Sequence, residues 1–396
     1  LLAAVSLVAA CTGDAGSGKA PLVRPFTVEK EPVWVGSTNL VSAGRLPELR
    51  GDSLIVYGPG KEQSERDRAL AVLDVATGRP RWRLDAGKLT EAGHDTVDAR
   101  PEKVLPADAS NGRDWMVIAP YQACGTRPGC VPDPGDPAEG QNGIVALAGA
   151  DGRVRWKTPL DPERRVGYLT TGDDVTISLL LRPGAANERL NGSLAVAVNA
   201  ADGTIRWESA GVWPVFVAGD TVLAIEADRV APLEPTVTQE ATVVALDAET
   251  GARKWDLSDR YARSNLLQTL GDVAVIGTAD ERGGNQRSRV IDAHTGRELA
   301  DLGGPLWCNT DQESLLTCVA ERGRDLTVFD VDRREKSVLR GVVPPRRGGI
   351  IPVRGYLFRD DDVIDRAGTV VSDEPLGFVV GMSDQYLVTF PDRTGD

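Results

Sequence analysis

The stretch that decides the fold is ATVVALDAETGARKWDL, Ala241 to Leu257. Val243, Val244, Ala245 and Leu246 read as a short buried strand, Asp247-Ala248-Glu249-Thr250-Gly251 as a turn, and Lys254-Trp255-Asp256-Leu257 as the start of the next strand. Gly supplies the positive φ that a tight hairpin turn needs, and Asp and Thr hydrogen-bond the local backbone there. Trp255 falls where a large ring can cover the gap between neighbouring sheets.

The unit recurs. Trp follows Gly after four positions at Gly78/Trp82, Gly152/Trp156, Gly203/Trp207 and Gly251/Trp255, so half of the 8 Trp occupy one repeat position. A fifth copy, Asp292-Ala293-His294-Thr295-Gly296, keeps the turn but has Ala300 in place of Trp. Each copy is preceded by an apolar segment, a turn such as Gly219-Asp220 or Gly271-Asp272, and a second strand, which makes four antiparallel strands per repeat. Leading hairpins centre near Gly51, Gly112, Gly172, Gly219, Gly271, Asp311, Gly355 and Ser383. Repeats of about 40 to 50 residues with four strands each predict an all-β fold, a β-propeller. The hairpin count favours eight blades, with seven the alternative. The last hairpin, Gly377 to Phe390, lacks two following strands, and residues 25–39 are expected to supply them, closing the ring through both chain ends. The widest interval between repeat glycines holds two insertions, 86–106 and 121–141, the expected functional edge.

Composition narrows the function. The chain has 396 residues and a net charge of −13, which opposes nucleic-acid binding. Residues 1–10, LLAAVSLVAA, with no initiator Met and no basic n-region, read as part of a signal peptide. Val8-Ala9-Ala10-Cys11 resembles a bacterial lipoprotein processing box, which makes Cys11 the expected lipidation site, 11–24 a lipidated tether and 25–396 the propeller. Two or three acyl chains form a stable anchor, and no later apolar run is long enough to span a bilayer. Of the 5 Cys, Cys124 and Cys130 bracket a Gly/Pro-rich loop, and Cys308 and Cys318 lie symmetrically about Glu313, facing one another if LWCNT and LLTCV pair as a hairpin. Two disulfides and an oxidising compartment follow as the expectation; a zinc site lacks CxxC and a nearby His.

The apolar strand, Asp or Asn, Ala, x-x-Gly and Trp together resemble the repeat of pyrroloquinoline-quinone (PQQ) dehydrogenases and their non-enzymatic relatives, among them the propeller lipoprotein of the bacterial outer-membrane assembly machine. The resemblance implies that Trp82, Trp156, Trp207 and Trp255 pack between blades as structural residues. It also implies that an enzyme of the family would need Ca²⁺ or a similar ion, an Asp base and, in many members, a disulfide of adjacent Cys. This chain has no adjacent Cys pair.

No other motif supplies chemistry. Asp360-Asp361-Asp362 lacks the alternation of a calcium loop and reads as a solvated turn, and the acidic run Asp133 to Glu139 as an insertion. His294 is expected to be an exposed turn residue, and His94, beside Asp95, has no nucleophile motif with it. The expectation is a monomeric, extracytoplasmic, membrane-anchored protein-binding or scaffolding module of the cell envelope, with no cofactor, metal or catalytic residue. The alternatives are a PQQ/Ca²⁺-dependent oxidoreductase and a small-ligand-binding propeller.

Overall fold

A computed structural model describes residues 4–9, 35–37, 48–50, 52–59, 68–85, 103–106, 115–122, 142–181, 190, 192–228, 237, 240–311, 313–321, 323–342, 351–359, 362–365, 368–372, 378–382 and 386–390. These residues are all strand, turn and coil, with no helix. Two strands come from the N-terminal part, β1 (Ala4–Ala9) and β2 (Val35–Ser37).

Seven four-stranded antiparallel sheets follow, each from four consecutive strands. Blade 1 holds β3 (Glu48–Arg50), β4 (Ser53–Pro59), β5 (Arg68–Asp74) and β6 (Pro80–Asp85). Blade 2 holds β7 (Lys103–Pro106), β8 (Trp115–Gln122), β9 (Asn142–Ala148) and β10 (Val154–Leu160). Blade 3 holds β11 (Arg165–Thr171), β12 (Val175–Leu181), β13 (Leu194–Asn199) and β14 (Ile205–Ala210). Blade 4 holds β15 (Val212–Ala218), β16 (Thr221–Ala227), β17 (Ala241–Asp247) and β18 (Arg253–Asp256). Blade 5 holds β19 (Arg263–Leu270), β20 (Val273–Ala279), β21 (Arg287–Asp292) and β22 (Glu298–Gly303). Blade 6 holds β23 (Trp307–Thr310), β24 (Leu315–Val319), β25 (Leu326–Asp330) and β26 (Glu335–Leu339). Blade 7 holds β27 (Ile351–Val353), β28 (Tyr356–Arg359), β29 (Asp362–Ile364) and β30 (Val370–Ser372).

The count of eight repeat blades is therefore corrected to seven. The eighth hairpin, β31 (Phe378–Met382) with β32 (Tyr386–Phe390), does not continue into two strands of its own; it lies in a sheet of mixed origin in the order β2-β1-β32-β31. The N-terminal contribution also differs from the expectation. β2 falls within residues 25–39, but the strand against β32 is β1, from the apolar run read as a signal core, with Ser6 opposite Thr389 and Val8 opposite Leu387. An extended apolar run can hydrogen-bond a strand edge whatever its targeting role. Phe26 to Trp34 lie outside the described residues.

First strands of successive blades, from β7 through β27, contact one another and lie innermost, while fourth strands lie outermost. Middle strands are covered by a neighbouring blade on both faces. Every residue of β12 and of β20 is buried, including Thr176 and Ser178 of β12, so neither strand has a solvent-facing side. Outer β10 alternates instead, exposing Arg155 and Pro159 and burying Trp156, Thr158 and Leu160.

Antiparallel alternation puts each blade's first-to-second and third-to-fourth connections on one face, here the turn face. Second-to-third connections and blade-to-blade links occupy the other, the loop face.

Candidate functional site

On the turn face the repeat is a structural device. In blade 4 the Gly251 N–H donates to the Asp247 carbonyl at 2.8 Å, and the Thr250 N–H donates to Asp247 Oδ1 at 2.9 Å. Asp74 with Thr77 and Asp292 with Thr295 repeat that geometry. The residue after the Asp or Asn then donates to the leading hairpin of its own blade: Val75 to the Asp52 carbonyl, Ala200 to Asp174, Ala248 to Asp220 and Ala293 to Asp272, all at 2.8–2.9 Å. Gly-Asp hairpins thus belong to turn chemistry.

The repeat glycines serve twice. Gly78, Gly152, Gly203, Gly251 and Gly296 all have φ between 66° and 75°, which L residues with a Cβ adopt reluctantly. Four of them also receive the Trp of the preceding blade. A Cβ on Gly152 would lie 2.8 Å from the Trp82 ring, on Gly203 2.5 Å from Trp156, on Gly251 2.7 Å from Trp207 and on Gly296 3.0 Å from Trp255. Each indole N–H donates to a carbonyl of the same neighbouring turn: Trp82 to Gly149 at 2.7 Å, Trp156 to Ala200 at 2.8 Å, Trp207 to Ala248 at 2.9 Å and Trp255 to His294 at 3.0 Å. The four Trp are thus knobs that seat one blade on the next.

The residue before each Trp is the part that sequence reasoning missed. The ladder between third and fourth strands slips by one residue there, leaving Arg81, Arg155, Arg206 and Lys254 as bulged positions. A bulge re-aims its side chain. Arg81 reaches Asp52 and Asp74 (both 2.8 Å), Arg206 reaches Asp174 (3.2 Å) and Glu249 (2.9 Å), and Lys254 reaches Asp220 (3.0 Å). The signal was available as Arg or Lys immediately before Trp in all four copies. These hydrogen bonds lower the Asp52 and Asp74 pKa values, Arg81 being the main cause. Asp220 is lowered to about 2, first by its hydrogen bond from Lys254, with Thr221 and His294 adding to it.

His294 is more than an exposed turn residue. Its ring Nδ1 lies 2.8 Å from Asp220 Oδ1 and 3.2 Å from Thr221 Oγ1, so it joins the blade 5 turn to the blade 4 hairpin. Turn geometry places residue 294 against the neighbouring blade, a tertiary consequence invisible in the local sequence.

The loop face is built differently. β6 ends at Asp85 and β7 begins at Lys103, while β8 ends at Gln122 and β9 begins at Asn142. Both insertions are therefore anchored on this face, beside one another in blade 2; 103–106 and 121–122 of the expected spans are strand. Between blades 4 and 5 the same face has an open pocket of about 290 Å³ lined by Glu226, Glu240, Ala241, Thr242, Ala262, Arg263 and Glu281. Arg263 donates to the Glu281 carbonyl at 2.6 Å, and Arg253 pairs with Glu226.

The expected Cys308–Cys318 disulfide is present, joining directly opposed residues of β23 and β24 with Cα atoms 4.1 Å apart. Cys11, Cys124, Cys130, His94, Asp360 and Asp361 lie outside the described residues. Among the described residues, no group of three or more His, Cys, Asp or Glu is placed to hold a metal ion, and no helix is long and apolar enough to cross a membrane.

Residues 189–305 match the family model described as outer membrane protein assembly factor BamB. No curated protein matches the sequence. Apo AztD from Citrobacter koseri is similar in structure, with a TM-score of 0.50 at 10% identity, covering 98% of each chain. BamB from Moraxella catarrhalis has a TM-score of 0.44 at 12% identity, covering 88% of this chain and 96% of that one. Quinohemoprotein alcohol dehydrogenase from Comamonas testosteroni has 0.45 at 15%, covering 88% and 71%. At these identities the likeness to AztD is one of fold alone; the family match over 189–305, together with the repeat, makes this chain similar to PQQ-like β-propeller repeat proteins.

Proposed function

We propose that this protein is a non-enzymatic, lipid-anchored extracytoplasmic propeller that binds an envelope protein through its loop face, at the blade 2 insertions. One observation carries the reading: the longest connections lie on a single face, while turn-face connections run from two residues to the eight of 107–114. Third-to-fourth turns stay at four or five residues in all seven blades. Loop-face connections run from the single residue 211 to the segments 86–102 and 123–141. A scaffold that keeps one face short and carries its long loops on the other is the usual arrangement of a binding surface. The match to a family described as an assembly factor supports a protein-interaction role.

The lipid anchor rests on Val8-Ala9-Ala10-Cys11, and the compartment on that box together with the Cys308–Cys318 disulfide. Ring closure through the two chain ends is supported by the pairing of β1 with β32 and by the contacts of β31 with β3 and β27. Processing before Cys11 removes β1, after which the edge of β32 needs a strand from 25–39. Mass spectrometry of the mature N-terminus decides between the two uses of Ala4–Ala9: a diacylglyceryl-Cys11 terminus supports the anchor, and a retained Ala4 overturns it.

The lack of an adjacent Cys pair in the sequence supports the non-enzymatic reading over a quinoprotein.

The test is crosslinking and pull-down of the membrane-anchored protein, compared with a variant in which 123–141 is replaced by a two-residue Gly turn. Recovery of one envelope protein, lost in the variant while the β circular-dichroism spectrum is kept, is expected. Saturable binding of PQQ with Ca²⁺, and no specific crosslink, would reverse the conclusion.

A further inference from the structure

We propose that the boundary between blades 5 and 6 is an ion-pair latch, held on the turn face by Arg334 and loosened by salt, and that it opens before the four Trp-seated boundaries that precede it. This inference stands independently of the binding role.

At the four preceding boundaries a Trp sits on a Gly. At this one both parts are gone together. Blade 5 has Ala300 at the Trp position, opposite Val290 as Trp255 is opposite Ala245. Blade 6 has Arg334 four residues after Asp330, where Gly251 follows Asp247, and Arg334 takes the same left-handed conformation, with φ 55°. With no ring to admit, the position tolerates a side chain at the price of backbone strain.

That side chain bridges the same boundary from the opposite side. The Arg334 guanidinium lies 2.9 Å from Asp272 in the leading hairpin of blade 5 and 3.8 Å from Asp292 in its turn. Lys336 Nζ donates to the Asp301 carbonyl at 2.8 Å. Arg334 and Asp272 are each 42% exposed, so salt screens this contact as it would not screen a buried indole. The outer strand of blade 5 agrees: Ala300 of β22 is only half-buried, whereas β14 of blade 3 buries its Trp207. The deeper interface remains apolar, with Leu270, Val275, Leu316 and Phe329 in one cluster. Opening therefore starts at the turn-face and outer edge and leaves the inner strands joined.

Amide hydrogen exchange on the full chain tests this at low and high NaCl. Exchange in 331–339 is expected to rise about threefold as salt screens the pairs, while 247–256 in blade 4 stays nearly constant. Arg334→Gln should exchange at low salt at the rate wild type shows at high salt, with no further salt response. Ala300→Trp with Arg334→Gly rebuilds the knob and its hole and should abolish the response. If the double variant does not fold, Arg334→Gln alone decides. A wild-type response equal in blades 4 and 6, or one that survives in Arg334→Gln, overturns the latch.

Discussion

The pairing of Trp207 with Gly251 makes a quantitative prediction by double-mutant cycle. Trp207 is 8% exposed, donates to the Ala248 carbonyl and covers Gly251 so closely that a Cβ there would meet its ring at 2.7 Å. Trp207→Ala removes a buried ring and leaves a hole, a loss of about 3–5 kcal/mol. Gly251→Ala meets two penalties: about 1–2 kcal/mol for a Cβ at φ 72°, and about 1–3 kcal/mol for the overlap with the indole. Only the first should survive once Trp207 is Ala, because the new methyl then faces the vacated hole. The two changes should therefore couple favourably by about 1–3 kcal/mol. Gly271→Ala is the control. It sits at φ 57° with nothing within 4 Å of its would-be Cβ, so it should lose only the conformational share in either background. Urea unfolding followed by circular dichroism gives the global figure, and amide exchange in β13, β14, β17 and β18 reports the seam itself. Equal losses for Gly251→Ala with and without Trp207 would show that the glycine serves its turn alone, and the knob-and-hole reasoning would fail.

Three further outcomes follow from the same geometry. The Asp220 pKa of about 2 lies below its ordinary 3.8, so its pairing stabilises the fold fully above about pH 4 and is lost as pH falls toward 2. At this exposed site the contribution, discounted for solvent screening, is at most about 1 kcal/mol, and Asp220→Asn should remove that share of the acid loss in a pH series of urea midpoints; an unchanged series would refute it. Reducing Cys308–Cys318, which spans 10 positions, should release about 3 kcal/mol of loop-closure stabilisation and lower Tm by about 3–4 °C, with no effect in the Cys308→Ala/Cys318→Ala variant. Arg206→Ala should lose about 0.5–1 kcal/mol through its contacts to Asp174 and Glu249, with Arg206→Lys recovering part; a loss as large as that of Trp207→Ala would mean that Arg206 carries packing the ion pairs do not explain.

What the sequence shows of this fold is what is local. All eight leading hairpins are present as strand pairs, because apolar runs broken by Gly-Asp or similar turns are decided within a dozen residues. The Cys308–Cys318 bond was legible for the same reason: a hairpin symmetric about Glu313 leaves its two Cys opposite one another. What escaped depends on residues distant in sequence. The second duty of Gly152, Gly203, Gly251 and Gly296 exists only when another blade's Trp arrives. The blade count turned on whether the final hairpin recruits two strands of its own, which depends on residues more than 300 positions away, Ser6 opposite Thr389 among them. Lys254 reads as an ordinary strand residue until the bulge turns it toward Asp220.

The two faces separate the consequences of substitution. On the turn face nearly every polar repeat side chain has a partner within its own blade or the next: Asp247 with Thr250, Lys254 with Asp220, His294 with Asp220 and Trp255 with the His294 carbonyl. A change there disturbs a stitch between blades and should appear first in stability, with binding lost only as the ring loosens. The loop-face connections join strand ends that are already fixed by their ladders, so their length can change without moving a blade, as the contrast between residue 211 and the segment 123–141 shows. Substitutions within 86–102 or 123–141 should therefore leave Tm unchanged and alter partner recovery alone. A variant in either segment that lowers Tm as much as Trp207→Ala would place those residues in the scaffold and remove the argument that the loop face is the binding face.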